Sequence, residues 1–291
     1  MNVTARCLSL VFAFGSVFAT GLFAQTPKVD FPAASPTATL KQHIGLTDIE
    51  IVYSRPGVKG RVIYGGLVPY NAVWRTGANA STKISFTTPL KLNGTEVPAG
   101  RYALYTIPGE KEWTVIISKD TNSFGAFSYK QENDLARFKA TPVKLAEPVE
   151  TFTMDFNDIR DESATLNLIW EKTRVPIKLG FEVVSKVVPQ IEAAVVSTNK
   201  QQAGFYYQSA MFYFNHDLDL KKALTWLDTG LADKPRIAYE LLNLKARILA
   251  KQGDKEGAIA AAKQSSELAV QAEGPASSFV KMNQDLISSL H

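Results

Sequence analysis

Between residues 37 and 184, apolar and polar side chains alternate with a period of two. Thr47, Ile49, Ile51 and Tyr53 alternate with Asp48, Glu50 and Val52, and Thr82, Ile84 and Phe86 with Lys83 and Ser85. The same spacing puts Trp113, Val115 and Ile117 on one face, then Phe152, Met154 and Phe156, then Leu166, Leu168 and Trp170. A strand that turns one face to a core reads this way. Turn chemistry separates the runs. Asn93-Gly94 favours the two positive φ angles of a type I′ hairpin. Pro98 and Gly100 suit a tight turn, and Pro108-Gly109 parts residues 102–107 from 112–118. About nine short strands with no helix between them predict an antiparallel sandwich or barrel.

Past residue 184 the period becomes helical, over 185–198, 201–215, 220–233, 237–252, 255–271 and 276–290. Ala210 through His216-Asp217 to Ala223 parallels Ala246 through Gly253-Asp254 to Ala258, with Pro235 between the two units. The small alanines let paired helices approach, while Tyr207, Phe214, Trp226 and Leu231 fill the groove between units. This resembles a tetratricopeptide pair, whose helix-turn-helix repeat is ~34 residues long. The expected fold class is a multi-domain α+β chain, an antiparallel β sandwich or barrel followed by an all-α helical-repeat domain. The expected boundaries are a signal peptide over 1–24, a linker over 25–36, the β domain over 37–184 and the repeat domain over 185–291.

The leader reading rests on Arg6, the apolar run 8–24 and the polar, proline-bearing segment after it. The run is short of the ~20 apolar residues that span a bilayer, so cleavage after about Ala24 is expected, with export to the periplasm or cell envelope. Cys7, the single cysteine, would leave with the leader, which excludes disulfide and thiol chemistry in the mature chain. Removing Arg6 from the 32 basic residues leaves 31 against 28 acidic ones, a net charge of +3. That balance carries no nucleic-acid footprint, and no later run is apolar enough to form a transmembrane segment.

Candidate chemistry concentrates in residues 53–79, which hold five glycines, two prolines, three arginines, Lys59 and four large aromatics. Long loops of this kind are functional or disordered, and the aromatics argue against disorder. Arg55, Lys59, Arg61 and Arg75 are candidates for binding a carboxylate or phosphate, since guanidinium forks grip such groups at two points. Tyr64 and Trp74 would offer stacking faces, and Asn79 a further polar contact. The expected ligand is therefore an anionic or carbohydrate-like molecule. A purely structural role competes with this, in which the aromatics plug the sandwich and the arginines pair with Asp48, Glu50 or Asp161. His43, His216 and His291 are the only histidines and too scattered for a metal site, so neither metal nor cofactor is expected. No serine-hydrolase elbow or phosphate-binding loop motif occurs.

Five phrases, YSRPGVKGR (53–61), GGLVPYNAVWRTGAN (65–79), PAGRYALYTIPG (98–109), EWTVIISKD (112–120) and FGAFSY (124–129), resemble the bacterial family called domain of unknown function 2911. The resemblance runs over about residues 35–184, with Phe124 standing where the family often has tryptophan. It implies an exported protein, often with helical repeats after the β domain, and brings no activity, substrate or catalytic residue. The expected function is a non-enzymatic binding or scaffold protein whose helical repeat engages a protein partner. The alternative is an enzyme on an anionic metabolite or envelope glycan, with Arg55 and Arg75 as clamp and Asp48 or Glu50 as acid or base.

Overall fold

A computed structural model describes residues 30–197 and 201–290. The proposed leader lies outside them, as do residues 25–29 of the linker.

Among the described residues, ten strands form two antiparallel sheets. The first has the order β1 (Thr37–Ile44), β2 (Thr47–Ser54), β3 (Thr82–Phe86), β6 (Gly100–Ile107), β7 (Trp113–Ser118) and β8 (Asp134–Ala140). The second runs β5 (Thr95–Val97), β4 (Leu90–Leu92), β10 (Ser163–Gly180) and β9 (Val143–Asn157). Their facing side chains merge into one core that includes Ile49, Ile51, Ile84, Val115, Phe152 and Leu168. The alternation of β2 survives intact, with Thr47, Ile49, Ile51 and Tyr53 buried. The β4–β5 hairpin turns at Asn93 and Gly94 with φ 45° and 84°, both positive as a type I′ turn demands.

Six helices follow among the described residues: α1 (Val184–Val195), α2 (Ala203–Asn215), α3 (Leu220–Leu231), α4 (Ala238–Gln252), α5 (Lys255–Glu273) and α6 (Ser278–Ser289). Asp219 caps α3 by accepting from the Lys221 and Lys222 amides, and Asp254 caps α5 by accepting from Gly257. Helix α2 packs on α3, α4 on α5 and α5 on α6. Ala210, Ala223, Ala246 and Ala258 are wholly buried at these contacts, so their lack of bulk sets the close approach. The helices also rest on the sandwich. Val187 of α1 and Phe212 of α2 each touch both the β core and the helical core. His216, after α2, lies with Nε2 3.3 Å from Asp161 Oδ2 in the β9–β10 turn, within charge range but off the hydrogen-bond direction.

Candidate functional site

Residues 55–81 connect β2 to β3 by crossing the end of the sandwich, and backbone bonds tie them to both sheets. The Phe152 amide of β9 donates to the Pro56 carbonyl at 2.9 Å, and the Val58 amide to Glu150 at 2.8 Å. Trp74 exchanges bonds with Thr106 of β6, at 2.7 and 2.9 Å. This two-sided anchoring fixes a segment that has no regular structure.

The loop's aromatics belong mostly to the core. Trp74 stacks on Trp170 at 5.9 Å and meets Phe152 edge-on at 5.3 Å. Tyr64 sits edge-on to Trp113, Trp74 and Trp170. Burial, reinforced by the Glu171 charge, pushes the Tyr64 hydroxyl far above its ordinary value. These rings plug the sandwich and offer no broad stacking face, the structural role that competed in the sequence.

The arginines divide. Arg55 donates from Nε to the Phe152 carbonyl at 3.0 Å and from Nη2 to Thr153 Oγ1 at 2.8 Å, bracing β9. Lys59 is exposed with φ 48°, and its amide donates to Glu150 Oε1 at 3.0 Å. Arg61 donates to the Val58 and Gly57 carbonyls at 3.1 and 2.6 Å, which uses two of its five N–H groups and leaves the rest free to turn outward. Arg75 differs from both, because its Nε is buried with no hydrogen-bond partner.

Arg61 and Arg75 meet in a cleft of about 270 Å³. Trp74 and Trp170 line it together with Ser35, Leu67, Gly77, Ala78 and Asn79. Backbone conformation shapes the wall. Thr76 has φ 53°, a left-handed angle that is an outlier for a β-branched residue, and Asn79 has φ 57°. Gly77 has φ 148°, and a Cβ there would fall 2.9 Å from the Ser54 carbonyl oxygen, so only glycine lets these chains approach. Among the described residues the Gly77 and Ala78 amides find no backbone acceptor. The Asn79 side chain donates to the Ser35 carbonyl and to Ser54 Oγ, both at 3.3 Å, holding the last linker residues against the rim.

Of the seven candidates, the fold brings Arg61, Trp74, Arg75 and Asn79 to one cleft and directs Arg55, Lys59 and Tyr64 elsewhere. Sequence reasoning missed Trp170, Leu67 and Ser35. Neither Trp170 nor Ser35 lies in the loop, and no local spacing announces them. The positive-φ residues around Gly77 were the available signal.

The carboxylates named in the sequence have other partners. Asp48 bonds His43 at 2.7 Å, Glu50 pairs with Lys41 at 2.8 Å, and Asp161 faces His216. The cleft lining contains no Asp, Glu, His or Cys. Its charged side chains are those of Arg61 and Arg75, which make it a cationic cradle. Among the described residues, no cluster of three or more His, Cys, Asp or Glu gathers, and no helix is long and apolar enough to cross a membrane. A second polar cluster adjoins the loop's end. Lys83 Nζ donates to Ser81 Oγ, Ser81 donates to the Ser123 carbonyl at 3.0 Å, and Ser123 Oγ donates to Asp120 at 2.5 Å. Burial lowers the Lys83 ammonium and the Ser123 hydroxyl holds Asp120 below its usual range. Ser81 itself is enclosed.

No curated protein and no solved structure matches this chain. Residues 35–179 match the family described as Protein of unknown function (DUF2911), a span running from just before β1 to the penultimate residue of β10. Through its β-rich half, which carries the cleft, the chain belongs to the DUF2911 family.

Proposed function

We propose that this chain is an exported cell-envelope binding protein whose β part takes the oxyanion of a small ligand, a carboxylate or phosphate group, in the Arg61–Arg75 cleft. The observation that carries the reading is the buried, unpartnered Nε of Arg75, a residue that lines one cleft with Arg61. An unsatisfied buried donor costs roughly 1–3 kcal/mol, and the fold retains it in a side chain that lines the cleft. Charge-assisted bonds from arginine forks would supply the orientation. The lack of an acid or base in the lining favours binding over catalysis. The helices form a tetratricopeptide-like second domain, beginning near residue 185, that presents a surface to a protein partner. The cleaved leader delivers the whole to the periplasm or envelope.

The test is a thermal-shift panel of inorganic phosphate, acetate and neutral sugars on the full chain and on Arg75→Met. A ligand at a hundred times its Kd stabilises the native state by ~2.7 kcal/mol. A shift with the anions that Arg75→Met abolishes supports the reading. Equal shifts in both proteins, or none with any anion, refute it.

A further inference from the structure

The cleft is smaller than the roughly 300–1,000 Å³ of pockets that enclose a whole organic ligand. It has room for a head group, and the remainder of any larger ligand must lie along its rim. That rim is apolar. Leu67, which lines the cleft, is 48% exposed, and Val62, beside Arg61 in the chain, is 74% exposed. The two are held together by a rigid turn: the Leu67 amide donates to the Val62 carbonyl at 3.0 Å, and the Val68 amide to Ile63 at 2.8 Å. Gly66 permits this closeness, since a Cβ there would fall 2.5 Å from the Val62 carbonyl oxygen. Past Asn79 the opposite end of the segment bridges through Ala80 to Phe124, whose ring is 61% exposed. Exposed aliphatics on a backbone braced against collapse, continuous with an oxyanion cradle, match a molecule that is anionic at one end and hydrocarbon at the other.

Resting on the oxyanion reading of the same cleft, we infer that the ligand is an amphiphile with a carboxylate or phosphate head and an alkyl chain. Arg61 and Arg75 take the head above the Trp74 and Trp170 edges, and the chain leaves over Leu67 and Val62. Each methylene that covers this wall loses water contact, worth up to about 0.8 kcal/mol when burial is complete, or a fourfold change in affinity.

The experiment is isothermal titration of the full chain with two series, straight-chain carboxylates from acetate to decanoate and alkyl phosphates from inorganic phosphate upward, each below its micellar concentration. The expected result is a Kd that falls roughly two- to fourfold per methylene over the first several carbons, as partial to full burial predicts. Val62→Ser, at an exposed position outside the cleft lining, flattens that gain and keeps acetate or phosphate binding. Arg75→Met abolishes binding of every member. Preference for one series identifies the head group. Short anions bound through Arg75 with no gain along the chain would overturn the amphiphile and leave the oxyanion reading standing. A gain that survives undiminished in Val62→Ser, or in Arg75→Met, also overturns it. No binding by any member removes both readings.

Discussion

Arg75 and Arg55 lie in the same loop and should respond to one substitution with opposite signs. Arg75→Met removes a buried Nε that has no partner and keeps most of the aliphatic stem. An unsatisfied buried donor costs roughly 1–3 kcal/mol. Against that gain, some stem packing is lost. The expected net change is a stabilisation of about 1 kcal/mol, equivalent to a Tm rise of about 2 °C for a chain of this size. Arg55→Met instead deletes bonds to the Phe152 carbonyl and Thr153 hydroxyl, which brace β9. Bonds from a charged donor contribute roughly 1.5–3 kcal/mol each, and partial exposure discounts the pair to a loss of about 2–3 kcal/mol. Urea unfolding followed by circular dichroism and tryptophan fluorescence measures both. A gain of stability on deleting a charged side chain is the mark of a residue kept for binding at the expense of folding. Should Arg75→Met lose more than about 2 kcal/mol, Arg75 would be a structural residue and the argument from its bare Nε would fail.

Trp74→Ala should destabilise the fold by about 3–5 kcal/mol, because its ring touches Trp170, Phe152, Trp113 and Tyr64; a loss under 1 kcal/mol in a denaturant melt would contradict its place in the core. A chain ending at residue 197 should keep its β circular-dichroism signature and lose roughly 1–3 kcal/mol, the scale of uncovering one aromatic, since Phe212 no longer caps the β core; failure to fold would show that the two parts are one unit. The Tyr239 hydroxyl, held by its bond to Glu273, and Tyr129, raised chiefly by burial, are pushed up to about 12. Because their neutral forms are favoured in the fold, their contribution is fully present below the unfolded value of 10 and is lost as pH rises through about 12. Phenolate absorbance should therefore show late-titrating tyrosines that Tyr239→Phe and Tyr129→Phe each reduce, and stability should fall over the same interval.

The antiparallel β part and the six helices were legible in the sequence because both follow local periodicity. A side chain's alternation with its neighbours decides which face of β2 is buried, and the caps Asp219 and Asp254 are set by residues within one turn. The Asn93-Gly94 turn is equally local, needing only two residues that tolerate positive φ. The loop's concentration of glycines and arginines was also visible. The sorting of those arginines was not. Whether a guanidinium finds a carbonyl depends on a strand far along the chain: Arg55 meets Phe152 and Thr153 across nearly a hundred positions, whereas Arg75 meets no acceptor at its Nε. Trp170 reaches the cleft only because β10 crosses beneath the loop, and the docking of Phe212 and His216 on the sandwich brings residues together from separate periodic segments. Local pattern specifies elements, since its forces act between near neighbours; pairing of polar groups across the fold is decided only when the core closes and fixes which donors remain without acceptors.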